Sequence, residues 1–184
     1  MIDAAVANGL YVIVDWHAHR SYPEEAAQFL TAIARKYGHL PNLIYEPFNE
    51  PLRDGVDWTR DVRPYHLAVI GAVRAVDRDN LVIAGSPSWS QDVDAAADDP
   101  LPFANLAYTL HYYAATHGQE LRDVGWMAWS IGDRDETSAA LRPGTPPAGW
   151  SEDDLTESGR LLRRKLRAAA GCNPACQPET PGIR

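Results

Sequence analysis

A carboxyl beside a neutral amide, Asn49-Glu50, closes the apolar run Leu43-Ile44-Tyr45, and Pro51 follows at once. The run reads as a buried strand, and proline cannot donate to a sheet ladder, so the pair stands at the strand's carboxyl end. α/β barrels and open α/β sheets place their chemistry at such ends. Four more runs end in side chains of the same kind: His17 after 10–14, Trp89 after 81–85, His111 with Tyr113 after 106–110, and Trp129 within 126–131. A lone histidine is more often a satisfied core residue. Five strand ends presenting carboxyl, amide, imidazole, phenol and indole groups instead describe one polar cleft. Its chemistry suits a neutral polyol. Indole faces stack on sugar rings, and His, Asn and Tyr bond hydroxyls. A carboxyl partly buried among them can keep its proton near neutral pH and act as a general acid.

The elements that must position these groups alternate. Residues 2–8 read as the tail of a helix stopped by Gly9, and 10–14 is a β-branched and aromatic run suited to a parallel strand buried on both faces. Pro23 opens a helix with Glu24 and Glu25 in its first turn, Arg35 and Lys36 in its last, and Phe29, Leu30, Ile33 and Tyr37 as the buried stripe. The strand bearing Asn49 and Glu50 follows. A helix near Pro64 turns Val69, Ile70, Val73 and Val76 inward, and further strands span 81–85, 106–110 and 126–131. Ser151 with Asp154 resembles a capping box before a last helix carrying Leu161, Leu162 and Leu166. The alternation predicts an α/β barrel or an open parallel sheet over residues 1–171, with 172–184 as tail or linker.

Bulk properties narrow the partners. The 184 residues fit one domain with a sizeable core, and the net charge of −8 opposes nucleic acid, whose phosphates it repels. No apolar run suits a membrane span, and Asp3 and Asn8 interrupt any export signal at the start, which predicts a mature, cytoplasmic or fragmentary chain. Cys172 and Cys176 allow a local disulfide but make a poor metal site without a nearby histidine. Neither metal nor cofactor is expected.

The segments 11–17, 43–51, 89–93 and 111–119 resemble glycoside hydrolase family 5, and within it the bacterial endo-β-1,4-glucanases. Trp129-Ser130, residues 135–141 and Gly149-Trp150-Ser151 continue the resemblance. It implies a retaining (β/α)8 barrel hydrolase of cellulose or related β-1,4-glucan, secreted because its substrate is a polymer. Glu50 then resembles the acid/base and Asn49 the partner of the sugar 2-hydroxyl. His17 resembles a glucose-binding histidine, and His111 and Tyr113 the pair around the catalytic carboxylates. Trp89 and Trp129 resemble cleft tryptophans. Arg134 stands where this group usually has a lysine, and Glu136 follows in the same binding loop.

The resemblance also implies an incomplete barrel, with family strands 3–6 and 8 present and strands 1, 2 and 7 missing. Residues 114–125 leave no room for two crossovers and a strand, and the motif that carries the family's nucleophilic Glu is absent. Three readings follow: an endoglucanase-type hydrolase lacking its nucleophile, an inactive β-glucan-binding remnant, or a chain that completes its barrel only through oligomerisation. Open sheet edges add an expectation of self-association.

Overall fold

The computed structural model describes residues 1–112, 131–136, 138–146 and 148–171. They fall in two compact units, Met1–Tyr112 and Tyr113–Arg184. The first holds helix α1 (Ile2–Ala7), strand β1 (Val12–Asp15), helix α2 (Pro23–Tyr37), strand β2 (Leu43–Glu46), a π-helical turn (Trp58–Val62) and helix α3 (Arg63–Arg74). Strand β3 (Leu81–Ala84), the single turn α4 (Pro87–Ser90), helix α5 (Val93–Asp98) and strand β4 (Leu106–Tyr108) complete it. The strands form one parallel sheet in the order β1-β2-β3-β4. Parallel neighbours joined by helical crossovers are the repeating unit of a (β/α)8 barrel, and four such strands are part of one. No helix among the described residues is long and apolar enough to cross a membrane.

Strand parity sorts the side chains. Leu43, Tyr45, Val82 and Ala84 are buried against Ala26, Leu30 and Ala34 of α2 and Val69, Ile70 and Val73 of α3. Because side chains alternate between faces, Ile13, Asp15, Ile44 and Glu46 lie on the opposite face. The register pairs Asp15 with Glu46, so two carboxyl groups stand side by side there.

Several expectations need correction. Of the stripe expected on α2, Leu30 is buried and Ile33 and Tyr37 pack against the core, and Ala26 and Ala34 join them as small residues that let α2 and α3 approach closely. Phe29 instead stays 39% exposed, with its ring 5.6 Å from that of Trp16. Val76 lies past the end of α3 and is likewise outward. Gly9 does end the first helix, with the positive φ of +69° that suits a residue without a Cβ.

The second unit contains an antiparallel bridge between Leu141 and Leu155 and the helix α6 (Glu157–Gly171). Ala139, Ala140, Leu141 and Leu155 are buried. The expected cap is displaced. Ser151 and Asp154 bond each other at 2.8 Å within a turn, while the helix itself is capped by Thr156, whose Oγ1 accepts from Gly159 N at 3.0 Å. The strand expected at 126–131 falls outside the described residues except Ile131, which lies in a bend.

Candidate active site

Glu50 sits on a loop gripped from both sides. Its own N–H donates to Ala18 O at 3.2 Å, and that of Asn49 donates to Trp16 O at 3.3 Å, tying the loop to the end of β1. On the other side, Trp89 N donates to Pro51 O at 2.8 Å and Ser90 Oγ donates to Asn49 O at 2.8 Å. Loop backbone that is this fully paired positions a side chain nearly as well as a strand does.

His111, just past β4, reaches the same carboxyl. Its Nδ1 lies 2.9 Å from Glu50 Oε1, and its Nε2 lies 3.5 Å from Glu46 Oε1. The first is a hydrogen bond. The second is an ion pair at a distance too long for a good hydrogen bond, which leaves Glu46 Oε1 without one among the described residues. The imidazole therefore lies between the two carboxylates. His19 adds an Nδ1 at 3.7 Å from Glu50 Oε2 and 3.2 Å from the Glu50 carbonyl. His17 pairs with Asp15 Oδ2 at 2.7 Å.

These contacts fix the charges. The hydrogen bond with His111 holds Glu50 below the ordinary carboxylate range, against burial, which alone would raise it. Burial disfavours the His111 imidazolium, but Glu46 and Glu50 together outweigh it and raise the group to about 9. Burial lifts Asp15, opposed by its bond to His17. At neutral pH these shifts favour a cationic His111 imidazole beside an ionised Glu50. This differs from the expectation that Glu50 keeps its proton, and the reason is the cation beside it. Asn49, 6% exposed, leaves its Nδ2 without a partner among the described residues. No group of three or more His, Cys, Asp and Glu there could hold a metal ion.

Of the residues singled out from sequence, Glu50, Asn49 and His111 converge, His17 stands on the adjacent strand end, and Trp89 is 40% exposed on the turn that grips the loop. Arg134 and Glu136 belong to the second unit, where Glu136 N donates to Arg134 O at 2.9 Å. Tyr113 and Trp129, like Cys172 and Cys176, lie outside the described residues. Sequence reasoning passed over Glu46 and His19 and gave Asp15 no part. Parity would have found Glu46, which shares a face with Ile44, but the unbroken apolar run hid the alternation.

A model of the family Cellulase (glycosyl hydrolase family 5) matches residues 1–143. Endoglucanase Z of Dickeya dadantii is 51% identical over 134 residues, covering 72% of this chain and 31% of that protein. Endoglucanase 5 of Pectobacterium carotovorum is 36% identical over 229 residues, covering 97% of this chain and 45% of that protein. That span exceeds the chain's own 184 residues, so the alignment passes over segments the chain lacks. The chain spans about half or less of the length of these relatives. Among solved structures, the catalytic domain of Thermobifida fusca endoglucanase Cel5A (E5), in a Glu-to-Gln variant with cellotetraose, superposes with a TM-score of 0.80 at 28% identity, covering 90% of this chain and 72% of that one.

Proposed function

The chain belongs to glycosyl hydrolase family 5, and from that premise we propose that its strand-end cluster is a subsite for β-1,4-glucan of the endoglucanase type. The observation that carries this reading is the 2.9 Å bond between His111 and Glu50 beside the Asn49 amide, whose Nδ2 has no partner among the described residues. Glu50 takes the acid/base part, and Asn49 Nδ2 donates to a sugar 2-hydroxyl. His17 bonds another hydroxyl, and the exposed indole of Trp89 stacks on a ring. Tyr113, Trp129, Arg134 and Glu136 keep the parts the family resemblance gives them. Cellulose or a related β-glucan, and its cello-oligosaccharides, are the ligands. A polymer of that kind places the work outside the cell.

Retaining hydrolysis needs a second carboxylate about 5–5.5 Å from the first, positioned to attack the anomeric carbon. Glu46 does not fit that part, because it is 7% exposed and faces Glu50 from across an imidazole ring. The nucleophile motif is absent from the sequence. That absence supports the second reading, a glucan-binding remnant, since protonation of the leaving oxygen then has no partner to trap the oxocarbenium ion. Reducing-sugar release from carboxymethylcellulose, beside Glu50→Gln, separates the two. Release abolished by the substitution supports the hydrolase, and no release with retained cello-oligosaccharide binding supports the remnant. Release that survives Glu50→Gln removes Glu50 from its part, and loss of both release and binding refutes the subsite. Self-association through the edges of β1 and β4 is read from the elution volume in the same preparation.

A further inference from the structure

We propose that Ser90 is a positioning residue for Glu50 and His111, holding the Asn49 carbonyl with its hydroxyl and the His111 amide with its own carbonyl. The inference rests on the subsite reading for its functional meaning and on geometry alone for its structural content.

Ser90 is fully buried and bonds in both directions. Its Oγ donates to Asn49 O at 2.8 Å, and its carbonyl accepts from His111 N at 2.9 Å. One residue thus links the loop that carries the carboxyl to the segment that carries the imidazole. A buried hydroxyl needs only some acceptor to be satisfied. Here the acceptor is the residue immediately before Glu50.

The backbone is strained to make this link. Ser88, Trp89 and Ser90 have φ of 59°, 57° and 59°, three successive residues in the left-handed region without a glycine among them. L side chains are disfavoured there, so such a turn persists only where its surroundings over-determine it. The surroundings are the loop of Glu50. Ser88 N donates to Leu52 O at 3.4 Å and Trp89 N to Pro51 O at 2.8 Å, and the Ser90 hydroxyl continues the series at Asn49. The turn therefore runs antiparallel to residues 49–52. Beside it, a Cβ on Gly85 would stand only 2.7 Å from Ser90 Oγ, so the hydroxyl is walled into its rotamer.

The test reads the His111 titration by NMR with ring-labelled histidine, in the full chain and without sugar. The titrating groups around His111 are Glu46, Glu50 and Asp15, and the parent midpoint is expected near 9. Ser90→Ala should lower that midpoint by about one unit, because the carboxylate is no longer held against the ring. Ser90→Gly, which suits the left-handed backbone, should lower it equally and carries the test if Ser90→Ala does not fold. Ser86→Ala is the matched control, since Ser86 is equally buried and its Oγ has no partner among the described residues. A midpoint in Ser90→Gly within about 0.2 units of the parent overturns the proposal. An equal fall in Ser86→Ala also overturns it, by assigning the effect to general loosening. A chain that binds no glucan yet shows the selective fall refutes the subsite reading and leaves the positioning role standing.

Discussion

Two buried polar clusters occupy the first unit, and they are finished to different degrees. One centres on Asp77, near the start of β3 and 4% exposed. It accepts from Tyr45 Oη at 2.6 Å, Asp79 N at 3.0 Å, Asn80 N at 3.1 Å and Asn80 Nδ2 at 2.7 Å. Arg74 beside it bonds the carbonyls of Asp77, Asn80, Ala104 and Asn105, and only its Nε lacks a partner among the described residues. Burial would raise Asp77, but the bonds from Tyr45 and Asn80 prevail and lower it. The other cluster, at the carboxyl ends of the strands, leaves Asp15 Oδ1, Glu46 Oε1 and Asn49 Nδ2 without hydrogen bonds among the described residues. A saturated polar cluster holds chain segments together, whereas an unsaturated one keeps bonding capacity for something that arrives. The contrast matches the division in barrels between a stabilising face and a reactive one.

The sharpest way to break this contrast is Asp77→Ala, which strands a buried phenol and amide. It should cost about 3–5 kcal/mol in urea unfolding, against less than about 1 kcal/mol for Glu46→Gln. Equal losses would erase the distinction.

Next comes pH. His66, buried with its Nε2 2.8 Å from Gly85 O, is lowered to about 4 by burial, so its contribution is present above the ordinary 6.5 and lost as pH falls toward 4. His111 has the opposite sign: its contribution is full below 6.5 and is lost as pH rises through about 9. Glu50, lowered, contributes above its ordinary 4.5 and less on acidification. Urea midpoints should therefore peak between the two histidine transitions. His66→Phe should flatten the acid limb and His111→Gln the alkaline one.

Glu50→Gln should lower the NMR midpoint of His111 by about one unit or more and cost about 1–2 kcal/mol in urea unfolding at neutral pH. The smallest effect belongs to Trp89→Ala, with roughly tenfold weaker cello-oligosaccharide binding by calorimetry and an unaltered urea midpoint. A large loss of stability there would make Trp89 a packing residue.

The sheet was legible because β-branched runs alternate with helical ones, and the site was legible where polar residues follow such a run within a few positions, as at Asn49-Glu50 and His111. What escaped has physical causes. Glu46 is the true last residue of its strand, but the sequence placed that end four residues later, at Glu50. The packing of α2 through Ala26 and Ala34 escaped because large residues were given the buried face. The left-handed turn at 88–90 contains no glycine or asparagine to announce it, and its conformation comes from tertiary hydrogen bonds that no local pattern encodes. The direction of the Glu50 titration depends on a histidine 61 positions away in sequence.

The bare α-carbon of Gly85 has a consequence for anyone reshaping this groove. A single added methyl would press on the Phe48 carbonyl and stand 2.7 Å from Ser90 Oγ, driving two loops apart like a shim under a hinge. Libraries that vary this position will mostly sample broken proteins, while one deliberate Gly85→Ala supplies the finest wedge for asking how much slack recognition tolerates.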